Sequence, residues 1–467
     1  MIKFYNTIAR KKVDFIPIVK NKVFLYTCGP TVYDFAHIGN FRAYIFEDLL
    51  RRTLEFCNYE VLHVMNLTDI DDKTINKANS ESIPLKEFTD RYINAFHEDV
   101  IKLNIIPAHH YPRATDFIEG MIGMIKELEK KGYTYTTDDG SVFFKISKYK
   151  DYGKLSNLHP EKLILGERVE DDEYEKEEMR DFALWKGYKK EEGDIYWESP
   201  WGRGRPGWHI ECSAMSTHYL GNHFDIHCGG VDNIFPHHEN EIAQSCCSTD
   251  EKFVNYWLHN EHLLVDSQKM SKSSGNFYTI RDLVDKGFTP ESIRYTLLST
   301  HYRQKLNFTL KKLKNSQKSI NKIREVKRRV DLIDISKTTG KNFEDITSNM
   351  IKEFTKCLKS DLNISGALGE MFIWINKIFK GLDNNNITYE GGRNIIKSLD
   401  FIDKVLGIIN SKDKQLDNEE KIKILLQKRN EARNSKDWSL ADKIREEIES
   451  LGYLVEDTSD GAIIKRK

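Results

Sequence analysis

The chain has 467 residues, of which 39% are hydrophobic, and its 71 Lys and Arg almost balance its 72 Asp and Glu, giving a net charge of -1. This length exceeds what one hydrophobic core organises and predicts roughly two to four domains. The balanced charge excludes a uniformly basic nucleic-acid-binding protein, so any RNA-binding surface must be local.

The sequence has none of the features of a secreted or membrane protein. Its charged amino end, MIKFYNTIARKK, lacks the apolar region of a signal peptide, and no later segment has the ~20 apolar residues of a membrane span. The seven cysteines are far apart, except for the adjacent pair Cys246 and Cys247, and lack the pattern of a disulfide framework. We therefore expect a cytoplasmic protein with reduced thiols and no membrane partner.

The first predicted unit is a strand, a helix and a second strand. Residues 23–27 (VFLYT) predict a short buried strand, which the segment Cys28-Gly29-Pro30 ends. After Gly39 the apolar residues recur with helical spacing, and residues 61–67 predict the second strand. Such a unit is typical of a parallel sheet, in which ligands bind at the carboxyl ends of the strands.

The rest of the chain predicts an insertion, a second half of the sheet and a helical region. Residues 120–200 contain a hairpin-like segment, YTYTTDDGSVFF, and an acidic run at 167–178 that favours a solvated loop. Strand signal returns at 224–230 (FDIHCGG), where we expect the sheet to be completed. Beyond about residue 310 the pattern is helical and Lys-rich. Residues 311–330 carry nine Lys or Arg and one acid, so this helix is either solvated or faces RNA.

Two loop motifs have the chemistry of nucleotide binding. HIGN at 37–40 precedes the first helix, where free backbone N–H groups and the helix dipole favour phosphate and a glycine allows close approach. KMSKS at 269–273 supplies mobile positive charge where phosphate charge develops as pyrophosphate leaves. Alone, HIGN is a weak tetrapeptide and KMSKS is compatible with an ordinary polar turn. Their occurrence together, in this order, favours nucleotide chemistry.

Four potential metal ligands lie beside these motifs: Cys28, Cys212, His237 and Glu241. His237 and Glu241 are four residues apart, which places them on one face of a helix, and their neighbours His238 and Glu239 are predicted to point elsewhere. Without a CxxC pair, spacing alone leaves open whether the four residues meet.

Four segments match one family in order and spacing: TCGPTVYD (27–34), PGWHIECSAM (206–215), HCGGVDNIFPHHENE (227–241) and KMSKSSGN (269–276). They resemble the cysteinyl-tRNA synthetases, which are class I aminoacyl-tRNA synthetases. The resemblance implies an α/β fold in which an insertion splits a Rossmann-like parallel sheet, followed by a helical anticodon-binding domain and a small C-terminal module.

The resemblance also implies domain boundaries. They are 1–119 and 201–255 for the two halves of the catalytic domain, 120–200 for the connective insertion, 256–319 for the KMSKS-bearing stem-contact region, 320–405 for the anticodon-binding domain and 406–467 for the tRNA-binding module.

The family further implies the roles of the site residues. One Zn²⁺ per chain is expected on Cys28, Cys212, His237 and Glu241, and Mg²⁺ is expected with ATP. The expected catalytic residues are His37, Asn40, Lys269 and Lys272, and the ATP-binding loops add Gly39, Met270, Ser271 and Ser273. HIGN departs from the family at Asn40, where a second histidine is usual. Asparagine keeps a hydrogen-bond donor there but cannot ionise.

Other polar and aromatic residues are candidates for the substrate pocket. We expect Thr68, Trp208 and Asp232 to bind the substrate, with Thr68 and Asp232 on its ammonium group. The aromatic and histidine candidates either line the pocket or pack in the core: Trp208, His209, His227 and His262. The acidic run at 69–72 is either a set of magnesium ligands or a turn.

The resemblance implies a cysteine–tRNA ligase, which forms cysteinyl-adenylate from cysteine and ATP, releases pyrophosphate and transfers cysteine to the 3′ end of its tRNA as a monomer. An apolar pocket separates cysteine from serine by only ~1 to 3 kcal/mol. Zinc binds a thiolate directly, whereas a serine hydroxyl resists ionisation. We therefore expect the zinc ion to select the substrate thiolate in place of a proofreading domain.

Three other functions compete with this one. An enzyme with the same catalytic half could pass activated cysteine to a small amine, but the helical tail and terminal module favour tRNA. An inactive RNA-binding paralogue is favoured only by Asn40, and a structural zinc protein has no use for KMSKS. In the terminal module, Trp438 either stacks on an RNA base or shares a core stripe with Ala441, Ile444 and Ile448.

Overall fold

Two units, Met1–Ile409 and Asn410–Lys467, make up the computed structural model of the chain. It describes residues 1–158, 163–169, 179–271, 275–409, 425–426, 429, 432–433, 438–450, 453–458 and 461–466. The strands, in chain order, are β1 (Lys3–Asn6), β2 (Lys11–Asp14), β3 (Lys22–Thr27), β4 (Glu60–Met65), β5 (Thr134–Thr136), β6 (Val142–Phe144), β7 (Leu163–Val169), β8 (Met179–Gly187), β9 (Gly204–Pro206), β10 (Phe224–Gly230), β11 (Val254–Asn260), β12 (Leu263–Val265), β13 (Gln268–Lys269), β14 (Leu306–Phe308), β15 (Tyr453–Thr458) and β16 (Gly461–Arg466).

The helices are α1 (Ile38–Phe56), α2 (Asp72–Glu81), α3 (Leu85–Lys102), α4 (Ile118–Lys130), α5 (Trp208–Leu220), α6 (Glu239–Thr249), α7 (Ile280–Asp285), α8 (Pro290–Leu298), α9 (Leu310–Asp331), α10 (Glu344–Lys359), α11 (Ile364–Asp383), α12 (Tyr389–Leu406) and α13 (Trp438–Ser450). Within the described ranges, no helix combines the length and the apolar character needed to cross a membrane.

Four parallel strands form the central sheet of the first unit, in the order β11-β10-β3-β4. Helix α1 connects β3 to β4, which confirms the predicted strand-helix-strand unit, and β10 pairs with the other edge of β3, with Ile226 opposite Leu25. Both faces of β3 and β10 are largely buried, which agrees with the continuous apolar runs in their sequences. The predicted α/β fold around a parallel sheet is confirmed.

The chain between the two halves of this sheet forms a smaller sheet, in the order β5-β6-β8-β7, with β9 paired to β8. The predicted hairpin is β5 and β6, in which Thr134 lies opposite Phe144. Helix α4 packs against α5 and α6, and its Ile125 lies in the same core as Met215. The first residues of the predicted acidic loop, 167–169, belong to strand β7 instead, and residues 170–178 lie outside the described part of the chain.

Helices α9 to α12 follow and share a core with the central sheet. Helix α9 buries one apolar face: Leu313, Ile320, Ile323, Val326 and Val330. Several of its basic residues are paired with carboxylates, for example Arg324 with Glu291 (3.1 Å) and Arg329 with Asp383 (2.8 Å). These ion pairs favour the solvated interpretation of this basic helix over the RNA-facing one.

In the second unit, the described residues include α13 and the antiparallel hairpin of β15 and β16. Ala441, Ile444 and Ile448 of α13 are buried, as the helical stripe predicts, whereas Trp438 is 56% exposed. Trp438 therefore does not belong to that core stripe.

Candidate active site and metal centre

A cleft of about 730 Å³ opens beside the carboxyl ends of β3 and β10. The chain leaves β3 through α1 toward β4 on one side, and leaves β10 through α6 toward β11 on the other. Open parallel sheets bind their ligands at such a switch point, because the diverging connections leave a crevice there. Ten of the predicted site residues line the cleft: Cys28, His37, Gly39, Asn40, Trp208, Asp232, His237, His262, Lys269 and Met270.

The four predicted metal ligands converge at one place. Cys28 directly follows β3, Cys212 lies in α5, His237 lies two residues before α6, and Glu241 lies in the first turn of α6. One ligand atom of each lies within 4.8 Å of the others, and His237 Nε2 is 3.1 Å from Glu241 Oε1. The sheet and two helices thus bring two sulfurs, a nitrogen and an oxygen together, although no CxxC pair marks the place.

Burial sets the protonation of these groups. The hydrogen bond with Cys28 and burial raise the pKa of Cys212 well above its usual value. The hydrogen bond from Cys212 lowers the pKa of Cys28, but burial and the Glu241 carboxylate outweigh it, so the net shift is upward. Burial lowers the pKa of His237 to about 3, so this ring is neutral near pH 7. The imidazole is ready to bind a metal ion, whereas the thiols must first lose protons, so metal binding strengthens as the pH rises.

Outer hydrogen bonds orient two of these ligands. His227 Nε2 lies 2.9 Å from Glu241 Oε2. Oε1 of the same carboxylate is buried and lies 3.1 Å from His237 Nε2, but the two do not have hydrogen-bond geometry. His209 Nδ1 lies 2.8 Å from His237 Nδ1, which leaves Nε2 of His237 toward the carboxylate. Such outer bonds are usual around metal ligands, because they fix the direction of the donor atom. The unsatisfied buried oxygen and the mixed sulfur, nitrogen and oxygen donors fit Zn²⁺.

The prediction that His238 points away from this cluster is wrong, since its Nε2 lies 3.3 Å from Cys28 Sγ. The backbone turns irregularly over Ile234–His238, before α6 begins, so helical spacing does not describe these two adjacent histidines. Glu239 does point elsewhere and accepts the backbone N–H of Gly153 (2.8 Å). A second group of four potential ligands therefore also lies within 4.8 Å: Cys28, His227, His238 and Glu241.

His227 and His238 are better explained as supports for the ligands than as ligands. His238 Nδ1 lies 2.8 Å from His259 Nε2, and His259 Nδ1 lies 2.7 Å from the hydroxyl of Thr7. When His238 Nε2 donates to Cys28, both rings of this row donate through Nε2 and accept through Nδ1. His227 likewise supports a ligand, because its Nε2 is hydrogen-bonded to Glu241 Oε2. We therefore favour Cys212 and His237, together with Cys28 and Glu241, as the metal donors.

HIGN forms a reciprocal cap at the start of α1. The backbone N–H of Asn40 donates to His37 Nδ1 (3.2 Å), and the backbone N–H of His37 donates to Asn40 Oδ1 (3.0 Å). The cap uses the acceptor of each side chain and leaves N–H groups at their other ends, on His37 Nε2 and Asn40 Nδ2. Donors at a helix amino terminus suit phosphate oxygens. Asparagine therefore provides both a cap and a donor at this position.

Gly39 lies where the KMSKS segment approaches α1. A Cβ at this position would lie 2.8 Å from the ring of His37 and 3.3 Å from the methyl carbon of Met270. Only glycine permits this close approach without displacing the capping ring.

The KMSKS segment begins on the cleft wall. Lys269 lies in β13, and the backbone N–H of Ser271 donates to Asn276 Oδ1 (2.8 Å). Lys272 and Ser273 lie outside the described residues. The first residues of this motif and the capping residues of HIGN thus line the same cleft.

Of the three predicted substrate-binding residues, two line the cleft. The ring centroid of Trp208 lies 4.7 Å from that of His237, and Asp232 also lines the cleft. Thr68 is buried, does not line the cleft, and its hydroxyl donates to Glu211 (3.1 Å) in α5. Thr68 therefore contacts the helix that carries a metal ligand rather than the cleft itself.

The acidic run at 69–72 has structural partners. Asp71 caps α2 by accepting the backbone N–H of Thr74 (2.7 Å), and Asp69 accepts the backbone N–H of Thr115 (2.9 Å). These contacts favour the turn interpretation over a magnesium site.

Sequence reasoning missed the supporting roles of two histidines. Successive side chains of a strand point to opposite faces of the sheet, so the sequence predicts that His227 in β10 points away from the face of Ile226 and Cys228. His259 gives no such signal, because its contact with His238 depends on the order of β10 and β11 in the sheet.

Comparisons with known proteins agree along the whole chain. Residues 14–318 match the model of the tRNA synthetases class I (C) catalytic domain, and residues 417–463 match that of the cysteinyl-tRNA ligase anticodon binding domain. The chain is similar to the cysteine–tRNA ligases of Brachyspira hyodysenteriae (50% identical), Protochlamydia amoebophila (48%) and Chlamydia caviae (47%). Each comparison covers at least 99% of this chain and at least 97% of the relative.

Solved structures share the fold at low identity. Mycobacterium tuberculosis methionyl-tRNA synthetase in complex with methionyl-adenylate has a TM-score of 0.60 and 14% identity, over 83% of this chain and 90% of that chain. LeuRS of Agrobacterium radiobacter K84 has a TM-score of 0.61 and 11% identity, over 86% of this chain and 85% of that chain. At these identities the similarity concerns the fold alone.

The choice between the two groups of metal ligands is testable. Cys212→Ser removes a sulfur from the favoured group only, so we expect purified Cys212→Ser protein to lose most of its zinc, with affinity at least about tenfold lower. Zinc per chain, measured by mass spectrometry of the metal, gives the answer. Cys228→Ser is the matched control, because Cys228 is a buried thiol that belongs to neither group.

Zinc near one equivalent in Cys212→Ser, together with zinc loss from His238→Gln, would instead assign the ion to the second group.

Proposed function

The chain belongs to the cysteinyl-tRNA synthetases of class I, and on that premise we propose that this cleft is where it activates cysteine. The reaction uses ATP as its Mg²⁺ complex, and a zinc ion selects the substrate thiolate. It is a cysteine–tRNA ligase by its full-length similarity to that family. The observation that carries the zinc proposal is the convergence of Cys28, Cys212, His237 and Glu241 within 4.8 Å at one end of the cleft.

A zinc ion bound there would supply a Lewis acid that takes the substrate sulfur as a thiolate. The substrate sulfur would reach the ion from the cleft, because Cys28 and His237 line the cleft whereas Glu241 is fully buried. A serine hydroxyl is a harder and far less acidic group, so the same position discriminates against it by chemistry rather than by size.

The remaining parts of cysteine would be held by the wall that adjoins this end. The indole of Trp208 packs beside His237 and excludes water from the sulfur, and Asp232 offers a carboxylate to the substrate ammonium. Thr68 would act only through Glu211, whose carboxylate accepts its hydroxyl, and is thus a positioning residue for α5.

The phosphate end of the reaction would lie at the start of α1. His37 and Asn40 present N–H donors there, and Lys269 adds a positive charge from the opposite wall. By its place in KMSKS, Lys272 would stabilise the charge that develops as pyrophosphate leaves, with Gly39, Met270, Ser271 and Ser273 completing the nucleotide loops. Catalysis of this kind needs positioning and charge stabilisation and no general base.

The second half of the reaction would transfer cysteine to the 3′ end of cysteine tRNA. The match of residues 417–463 to an anticodon-binding domain supports tRNA as the acceptor and disfavours a small amine. In this module the exposed Trp438 has the guanidinium of Arg433 5.7 Å from its ring centroid. A ring of this kind is suited to stacking on an unpaired base. A monomer in the cytoplasm is the state that fits these roles.

Exchange of pyrophosphate into ATP tests the activation step. With cysteine present, we expect exchange that falls by at least about 100-fold when serine replaces cysteine, because the zinc contact adds to the limited discrimination of an apolar pocket. Removal of zinc by a chelator should abolish exchange, and added zinc should restore it.

Exchange with serine at a rate near that with cysteine would contradict zinc selection. If the zinc-bound protein showed no exchange with cysteine, that result would contradict the proposed activation of cysteine and favour an inactive paralogue.

The role of Trp438 is tested separately from activation. Trp438→Ala should raise the KM for tRNA by about 5- to 100-fold, the loss expected for one stacked base, and Trp438→Phe should retain most of the affinity. Exchange measured without tRNA serves as the control, and Leu440→Ala is the matched exposed variant in the same helix. An unchanged KM for tRNA in Trp438→Ala would contradict the stacking role.

A further inference from the structure

The sheet of β13, β12 and β14 forms one wall of the cleft, and β12 also packs against α1. Strand β12 lies between the other two. Its Leu264 lies opposite Lys269 of β13 on one side and opposite Asn307 of β14 on the other. Leu263 and Val265 of β12 are buried in the core. Side chains alternate between the two faces of a strand, so Leu264 lies on the other face.

The same alternation places Lys305 on this second face. Leu306 and Phe308 of β14 are buried, so Asn307 between them, and Lys305 one residue before the strand, face the opposite way. The backbone N–H of Leu306 donates to the carbonyl of His262 (3.1 Å), which extends the pairing by one residue and sets Lys305 beside His262. Four cleft-lining residues lie on this second face: His262, Leu264, Lys269 and Lys305. Glu261 and Leu263, next to His262 in the chain, also reach the cleft.

The two lysines flank the wall. From the register, their Cα atoms are two strand spacings apart across the sheet and two residues apart along it, or about 12 Å in all. Leu264 lies between them and gives the wall an apolar centre. A wall with an apolar centre and a positive charge at each side fits an elongated, anionic ligand that also has a flat apolar part, as a nucleoside triphosphate does.

The charge of Lys305 is available to such a ligand. Its side chain is exposed, and among the described residues no carboxylate lies within 4.0 Å of its ammonium group. The next two lysines along the chain do not share this position. The ammonium group of Lys312 donates to the carbonyl of Asn307 (2.8 Å), and Lys311 does not line the cleft. Asn40, which lines the cleft from α1, is uncharged. Lys269 and Lys305 are the lysines that line the described part of the cleft.

We propose that Lys305 is a binding residue for the triphosphate of ATP, acting from the same wall as Lys269. This assignment rests on the proposed function, since it requires ATP in the cleft. Its ammonium group contributes a charge-assisted hydrogen bond to a phosphate oxygen, and the low-dielectric walls of the cleft focus its positive potential toward the ligand.

Lys305→Met removes the charge and keeps the aliphatic stem. In cysteine-dependent exchange, we expect the KM for ATP to rise by about tenfold, as for the loss of one charged hydrogen bond, with the KM for cysteine changed by less than about twofold. Lys305→Arg should keep most of the ATP affinity. Lys311→Met is the matched control, because it removes a nearby exposed charge that does not face the cleft.

Competition experiments locate the contact along the nucleotide. The inhibition constants of adenosine, AMP and a non-hydrolysable ATP analogue are compared between Lys305→Met and the unmodified protein. A loss confined to the triphosphate supports the proposal, and an equal loss for adenosine would overturn it in favour of the base or ribose. An unchanged KM for ATP in Lys305→Met would also overturn it.

These outcomes are separate from failure of the proposed function. Absence of exchange in the unmodified, zinc-loaded protein would reject the function itself. Exchange that is normal in the unmodified protein and identical in Lys305→Met would reject only the role of Lys305. Zinc content and the thermal midpoint of each variant show whether it is folded.

Discussion

Four donor groups meet in a water-poor place at the carboxyl ends of two neighbouring parallel strands, and the rest of the site is arranged around them. Burying Cys28 and Cys212 beside the Glu241 carboxylate is unfavourable for their thiolates, because burial and that carboxylate both raise the pKa of the two thiols. A divalent cation reverses this balance, since it attracts both thiolates and the carboxylate. A bound metal ion and the packing of α5 and α6 against the central sheet would therefore stabilise one another.

The same strand end also sets the distance between the two halves of the chemistry. Cys28 follows β3, and only the loop at 29–36 separates it from His37, which caps α1. Because β3 and α1 are both held in the main core, the proposed amino-acid end and the proposed phosphate end of the cleft are fixed relative to each other. The KMSKS segment approaches from the other wall, where Met270 touches the position that only glycine can occupy. Positioning of this kind supplies much of the rate in reactions without a general base.

The sequence was sufficient for the parallel sheet and for the two loop motifs, because buried strands, helix spacing and helix starts have local signals. It was also sufficient to nominate the four metal ligands, although their convergence depends on strand order and on two helices that approach from the same side. The direction of His238 could not be predicted, because the irregular turn before α6 replaces helical spacing. The cap between His37 and Asn40 explains why asparagine fits there, and only the geometry shows which atom of each side chain it uses. Thr68 looked like a cleft residue from its place after β4, but its hydroxyl is directed to Glu211.

In the proposed reaction, the substrate sulfur binds the metal ion directly. Cobalt(II) in place of zinc provides the measurement, because its sulfur-to-metal charge-transfer absorption grows with the number of bound thiolates. With Cys28 and Cys212 as ligands, addition of cysteine should raise this absorption by about half, from two thiolates to three, and serine should leave it unchanged. An absorption that cysteine does not change, in protein that still exchanges pyrophosphate with cysteine, would contradict the claim and require the thiol to be recognised elsewhere in the cleft.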